Sequence, residues 1–177
     1  MNSFNEDSLV EKTAIRLIKD AWTDESCHIN AYTDVEDARL GREHRGEVVL
    51  KKFLLPALKK LNPSLPLDAL TQAVGQLIRD RSHLSLVNAN QEVYKVLHDG
   101  ATVSVPRTDG ASDTERVRFF DFNAPSNNHF LCISQLWVVG DMYTRRPDMV
   151  LFVNGIPLVL LELKASHKSL VDAYRDN

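Results

Sequence analysis

The segment from Arg146 to Lys164 constrains the fold of this chain more than any other. It contains two almost entirely apolar runs on either side of Asn154-Gly155, a dipeptide that strongly favours a tight β-hairpin. Because both runs are apolar, we expect the hairpin to lie buried in the middle of a layered domain. Burying Glu162 and Lys164 at the end of such a strand costs several kcal/mol per ion, unless they are paired, metal-bound or at a wet edge of the sheet.

The length of the turn decides which side chains share a face of this hairpin. Glu162 and Lys164 are two residues apart, so a strand places both on one face. A two-residue Asn154-Gly155 loop would pair Asp148 with Leu161 and send Asp148 to the opposite face. A three-residue loop that ends in a left-handed Gly155 would put Asp148 on the face of Glu162. We therefore predict a loop of odd length.

Two carboxylates on one face suit a metal-dependent reaction at phosphate. Asp148 and Glu162 can bind Mg²⁺ through oxygen ligands, with Mn²⁺ as a substitute, and the metal would polarise a phosphate and lower the pKa of bound water. Lys164 would stabilise developing charge or help to activate the water. The alternative is a strand-edge salt bridge, since an isolated Asp…Glu-x-Lys pattern occurs by chance in many chains.

Periodicity divides the chain into a helical part, about residues 8–98, and a sheet part, about residues 101–165. We expect an α+β (mixed α/β) fold with a central mixed sheet flanked by helices. Residues 23–42 indicate a loop or a short helix. The predicted helices are Ser8–Trp22, with Ser8 as N-cap, then Glu47–Leu61, Leu67–Ile78 and Leu84–His98. Asp99-Gly100 is expected to end the last of these, and another helix begins within Ser169–Tyr174. The predicted strands are Thr102–Val105, Arg116–Phe122, Phe130–Val139, Met149–Val153 and Pro157–Leu163.

Four further residues are candidates for the site, each with a structural alternative. Glu11 could be an additional metal ligand or orienting contact, or the capping-box partner of Ser8. Gln135 could position water or DNA, or be a hydrogen-bonded buried amide. Arg145 and Arg146 could contact a phosphate, or belong to a solvated loop or a salt bridge.

Composition limits the classes of function. The chain has 21 Lys and Arg against 24 Asp and Glu, which argues against a stand-alone nucleic-acid binder, so other chains or domains are expected to hold most of any DNA. No signal peptide or membrane span is predicted, so we expect a cytoplasmic protein without membrane contacts. Cys27 and Cys132 show neither disulfide nor zinc-ligand spacing, and the six histidines show no ligand spacing.

The Arg146–Lys164 block resembles the PD-(D/E)XK nuclease motif, with Pro147-Asp148 followed by Glu162-Leu163-Lys164. It is most similar to the N-terminal domain of the restriction (R) subunit of type I restriction-modification enzymes, in which Arg-Pro-Asp, Asn-Gly-x-Pro-Leu and Glu-Leu-Lys occur together. Further matches are Leu61-Asn62-Pro63, Asn88, Asp121-Phe122, Asn127-Asn128-His129-Phe130 and Gln135, so the resemblance covers the chain from about Gly46 onward.

This resemblance implies that residues 1–177 form a single endonuclease domain with a restriction-endonuclease-like core. The implied activity is Mg²⁺-dependent cleavage of double-stranded DNA, in a larger subunit that also carries an ATP-driven translocase and assembles with modification and specificity subunits. The chain has no Walker-type phosphate loop, so ATP would act only through motor domains absent here, and we expect a fragment. No Gln follows Lys164 up to Asn177, so the Gln-x-x-x-Tyr element that relatives carry after the lysine is either beyond the end of this sequence or missing. The rivals are another repair or resolvase-type nuclease of the same fold, and a catalytically silent DNA-docking or assembly domain.

Overall fold

The computed structural model describes residues 6–24, 26–140 and 142–163. The chain divides into two compact units, one formed by the residues up to Leu50 together with those from Phe130 onward, and the other by Lys51–His129. The helices are α1 (Glu6–Trp22), α2 (Asp34–Ala38), α3 (Lys51–Leu61), α4 (Leu67–Ile78) and α5 (Leu86–Asp99). The strands are β1 (His28–Asn30), β2 (Ala101–Pro106), β3 (Ser112–Val117), β4 (Phe130–Ser134), β5 (Val138–Val139), β6 (Thr144–Arg145), β7 (Met149–Val153) and β8 (Ile156–Leu161).

The first unit contains a four-stranded sheet in the order β1-β4-β7-β8. Strand β1 is parallel to β4, whereas β4 with β7 and β7 with β8 are antiparallel. The two central strands are the apolar runs Phe130–Ser134 and Met149–Val153, and their side chains supply much of the buried core of this unit. Helices together with a mixed sheet confirm the predicted α+β class.

Strand β1 lies in a stretch, residues 23–42, for which the sequence predicted only a loop or a short helix. The short helix is present as α2, and Thr33 caps it by accepting a hydrogen bond from the backbone N–H of Glu36. The strand was missed because it has three residues, too few for an alternating pattern to show. Its pairing with β4 makes the sheet mixed.

The predicted strand Phe130–Val139 is interrupted. Strand β4 ends at Ser134 because Gln135 takes a left-handed backbone conformation with φ of 55°. Val138–Val139 then pairs with Thr144–Arg145 in a separate two-stranded ribbon. Pattern alone did not reveal the break, because left-handed backbone is uncommon for residues other than glycine.

The expectation that both strands of the β7–β8 hairpin are buried is correct for β7 and wrong for β8. Strand β8 occupies one end of the four-strand order, and Leu158, Val159 and Leu160 are 48%, 45% and 61% exposed among the described residues. The first helix also begins two residues earlier than predicted, so Ser8 lies inside α1 rather than at its N-cap. The predicted helix within Ser169–Tyr174 lies outside the described residues.

The second unit combines helices α3, α4 and α5 with the antiparallel hairpin β2–β3. Helix α4 has the predicted bounds, whereas α3 begins at Lys51 rather than at residue 47. Strand β3 begins at Ser112 and ends at Val117, so it overlaps the predicted range 116–122 only at its end. Helix α5 ends as predicted at Gly100, whose φ of 86° suits glycine, and whose N–H donates to the carbonyl of Val96. In the described part of the chain, no helix is both long enough and apolar enough to cross a membrane.

Candidate active site

The β7–β8 hairpin closes with a two-residue turn, so the predicted loop of odd length is wrong. Val153 pairs with Ile156, and the two turn residues both have positive φ, 53° for Asn154 and 78° for Gly155. This is the backbone of a type I′ turn, for which Asn-Gly is the preferred sequence because both residues tolerate a left-handed conformation. The odd-length loop was predicted because it would place Asp148 and Glu162 on one face of the hairpin. A different feature of the hairpin has that effect.

A β-bulge in β8 brings Asp148 opposite Glu162. Phe152 pairs with Pro157 whereas Leu151 pairs with Val159, so Leu158 is an extra residue in β8. The shift continues to the last pair, Met149 with Leu161, and one further step places Asp148 opposite Glu162. Residues directly opposite each other in an antiparallel pair project from the same face. The bulge therefore does what the three-residue loop was predicted to do.

Asp148 accepts hydrogen bonds from the backbone of two other segments, at Leu163 and at Gln135. Its Oδ2 accepts a hydrogen bond of 2.7 Å from the N–H of Leu163, and its carbonyl accepts one of 2.9 Å from the N–H of Gln135. Oδ1 receives no hydrogen bond from any residue that the structure describes. One carboxylate oxygen thus fixes the side chain, and the other can bind a ligand.

Glu162 lies directly after β8 and is half-buried, with its Oε1 buried from solvent. Lys164 lies outside the described residues, so its predicted position next to these carboxylates stays a prediction.

Glu11 and Gln135 meet at the same edge of the sheet. The side-chain Nε2 of Gln135 donates to Oε2 of Glu11 at 3.0 Å. Because Ser8 lies inside α1, Glu11 is not the third residue of a capping box, and the alternative for this residue is wrong. Gln135 is a hydrogen-bonded, half-buried amide, and its contact joins α1 to the end of β4.

A cleft of about 760 Å³ opens at this edge, within the first unit. Four of the predicted site residues line it, namely Glu11, Gln135, Arg146 and Asp148, whereas Glu162 is not among its lining residues. The remaining lining residues are Lys12, Ile15, Asn30, Tyr32, Thr33, Glu36 and Leu163. Three of its charged residues are acidic and two are basic, so the cleft carries no surplus of positive charge to attract DNA without a bound cation.

The donor set fits a hard divalent cation of the Mg²⁺ type. Among the described residues, no group of three or more His, Cys, Asp and Glu side chains is arranged to hold a metal ion. Mg²⁺ does not require such a group, because it keeps several waters and is commonly bound by one or two carboxylates together with substrate phosphate oxygens. The register of β7 and β8, extended by one residue, puts the carboxylates of Asp148 and Glu162 on one face, and the cleft that Asp148 lines leaves room for water and phosphate.

The two candidate arginines differ in their surroundings. Arg145 lies in β6, with its guanidinium 5.2 Å from the ring centroid of Tyr143, and it is not among the residues lining the cleft. Arg146 lines the cleft, with its guanidinium 4.9 Å from the ring centroids of both Tyr32 and Trp137. Tyr32 and Asn30 were not predicted as site residues. Recognising them required strand β1, because its parallel pairing with β4 brings its C-terminal end to this edge.

Cys27 and Cys132 are free thiols, and both are buried. Burial raises the pKa of the Cys132 thiol to about 12, with smaller contributions from Cys27 and Glu11. A buried thiol with a raised pKa carries little of the thiolate form that acts as a nucleophile.

Comparison with known proteins decides the family. The family model described as "Type I restriction enzyme R protein N terminus" matches residues 3–177. The chain belongs to this family. Members similar to it include the "Type I restriction enzyme HindI endonuclease subunit" of Haemophilus influenzae, which is 34% identical over 90% of this chain. The "Putative type I restriction enzyme MjaIXP endonuclease subunit" of Methanocaldococcus jannaschii is 28% identical over 98% of it. As an R-protein N-terminal domain, the chain spans 15% and 16% of the lengths of these two relatives.

Proposed function

We propose that this R-protein N-terminal domain is the nuclease of a type I restriction enzyme and cleaves phosphodiester bonds of double-stranded DNA with Mg²⁺. The observation that carries the proposal is the bulged hairpin: its register, extended by one residue beyond the pair Met149 with Leu161, sets Asp148 opposite Glu162, and Asp148 lines an open cleft. The names of the relatives, both endonuclease subunits, support the same activity. The sheet with its flanking helices is proposed to be a restriction-endonuclease-like core.

The roles of the residues follow from their contacts. Asp148 and Glu162 would hold the cation, which when bound supplies a Lewis acid for the phosphate and a water of lowered pKa. The N–H of Leu163 orients Asp148 through Oδ2, and this contact leaves Oδ1 to bind the cation. Gln135 fixes the backbone at Asp148 and connects it to Glu11, which is proposed to orient the site or to bind water. Lys164 is proposed to stabilise the negative charge that develops on the phosphate.

The proposed partners follow from the family. The remainder of the R subunit would supply the ATP-driven motor, and the modification and specificity subunits would bring the enzyme to its DNA. The modest charge of the cleft fits this arrangement, because most of the DNA affinity would then come from other parts of the assembly.

The test is DNA cleavage by the assembled restriction enzyme carrying single substitutions. We expect Asp148→Asn and Glu162→Gln each to reduce the cleavage rate in Mg²⁺ by at least about 100-fold. The matched control is Glu36→Gln, which removes a carboxylate from the same cleft without touching the hairpin. Cleavage that survives both substitutions would favour a silent DNA-docking or assembly domain, with the nuclease elsewhere in the complex.

A further inference from the structure

A stack of cationic and aromatic side chains lies beside the carboxylates of the cleft. The guanidinium of Arg146 is 4.9 Å from the ring centroid of Tyr32 and 4.9 Å from that of Trp137. A guanidinium within about 6 Å of a ring centroid is attracted by the negative face of that ring. Two rings therefore contact the guanidinium of Arg146, which is itself an exposed residue.

The rings are themselves tied to the backbone of the site. The indole N–H of Trp137 donates to the carbonyl of Tyr32 at 3.3 Å, and the backbone N–H of Tyr32 donates to Oδ1 of Asn30 at 2.9 Å. Arg42 donates to the carbonyl of Trp137 at 2.9 Å, and the guanidinium of Arg45 lies 5.6 Å from the centroid of the Trp137 ring. The frame that holds Arg146 thus spans the end of β1 and the loop after β4. A side chain held in this way loses little conformational entropy when it binds a ligand.

Arg146 differs from the other two arginines of this frame in its charge balance. Arg45 pairs with Asp34 and Asp37, and the Arg42 side chain, 2% exposed, also pairs with Asp37. Among the described residues, no carboxylate lies within salt-bridge distance of Arg146, and its recorded contacts are with the two rings. Its charge and its N–H donors are therefore available to an anion.

The location of Arg146 indicates which anion it binds. Arg146 precedes Asp148 by two residues, and both line the same cleft. A planar guanidinium matches two oxygens of a phosphate in a way that a lysine cannot. The guanidinium covers one face of the Tyr32 ring and one face of the Trp137 ring, so these two faces cannot stack on DNA bases. The group left to contact DNA is the positive charge of Arg146, which suits a backbone phosphate.

We infer that Arg146 binds a backbone phosphate of the DNA strand that enters the cleft, next to the Asp148 and Glu162 pair. The inference rests on the proposed function and adds a substrate-binding residue to it. Tyr32 and Trp137 are positioning residues, which act by holding the guanidinium.

The test uses the assembled restriction enzyme, with the single-turnover rate of DNA cleavage measured across a series of KCl concentrations. We expect Arg146→Gln to lower the rate about 10- to 100-fold, as for loss of one charged hydrogen-bonding contact. Its log rate should also fall less steeply with log salt, by up to about 0.9 in slope, since one phosphate fewer is neutralised. Arg146→Lys keeps the charge, so it should retain the wild-type salt slope while cleaving more slowly. The control is Arg16→Gln, which removes an exposed charge from α1 outside the lining of the cleft.

The outcomes separate this inference from the proposed function. Wild-type enzyme that cleaves while Asp148→Asn does not, together with Arg146→Gln matching the rate and salt slope of Arg16→Gln, would overturn the role of Arg146 alone. Equal losses in Arg146→Gln and Arg146→Lys with an unchanged salt slope would also overturn it, because a purely structural role predicts that result. Full cleavage by Asp148→Asn would instead overturn the proposed function.

Discussion

The bulge in β8 predicts that the hairpin tolerates a deletion and does not tolerate an insertion. Leu158 is the extra residue between the pairs Phe152 with Pro157 and Leu151 with Val159. Removing Leu158 makes these pairs consecutive and leaves Asp148 opposite Glu162. Inserting one alanine between Leu161 and Glu162 keeps every recorded pair but places the alanine opposite Asp148.

The size of the second effect follows from strand geometry. An insertion moves Glu162 about 3.3 Å along the strand and turns its side chain to the opposite face. Misplacement by about 1 Å can cost about 100-fold in rate, so the insertion should reduce DNA cleavage by at least that factor. The deletion should retain cleavage, because the side chain that it removes is 48% exposed and belongs to an edge strand.

The assay is cleavage by the assembled enzyme, with the unfolding midpoint of each variant as a control for folding. If the deletion abolishes cleavage and the insertion leaves it intact, the register that places Asp148 opposite Glu162 is wrong. If both variants cleave at the wild-type rate, the alignment of these carboxylates has no bearing on the reaction.

Two further predictions concern stability. Burial, assisted by a nearby lysine, lowers the pKa of His28, which lies 2.9 Å from Oγ of Ser134, so the unfolded chain binds a proton more readily than the folded chain. The free energy of unfolding of the wild type relative to His28→Gln should therefore be highest above pH 6.5, and it should fall as the pH is lowered through the pKa of folded His28. If the unfolding free energies of the two proteins change in parallel between about pH 5 and 8, this prediction is wrong. In the second unit, Gly100→Ala and Gly110→Ala both place alanine at positive φ, but only at Gly100 would the new Cβ lie 2.7 Å from a backbone oxygen, that of Val117. Denaturant unfolding should show Gly100→Ala to be more destabilising by about 1–3 kcal/mol, and equal effects would contradict the predicted clash.

Most of the secondary structure could be predicted because periodic apolar residues and turn signals agree locally. Helix α4 and strand β7 have the predicted bounds, and Gly100 ends α5 as expected. The features that were missed depend on tertiary context. Strand β1 is defined by its hydrogen bonds to β4, and β4 ends because Gln135 has a left-handed backbone conformation.

The residues of the candidate site could be predicted from the sequence, but the β-bulge that aligns Asp148 with Glu162 could not. The turn was misjudged because the alignment was assigned to the loop, whereas Asn154-Gly155 is an ordinary two-residue turn. A usable signal was Pro157, since proline within a strand is confined to edges, strand ends and bulges. Pro157 is therefore a signal of an irregular strand at an edge of the sheet. Used in this way, it would also have corrected the expectation that β8 is buried. The ring contacts of Arg146 could not be predicted, because Tyr32 is 114 positions away in the sequence.

The most direct test of the account is a crystal structure of the protein grown with Mn²⁺, with the metal located by its anomalous scattering. We expect a manganese ion bound by carboxylate oxygens of Asp148 and Glu162, with water completing its shell, and loss of that ion in Asp148→Asn crystals. Carboxylates that face opposite sides of the sheet, or manganese bound only elsewhere, would contradict it.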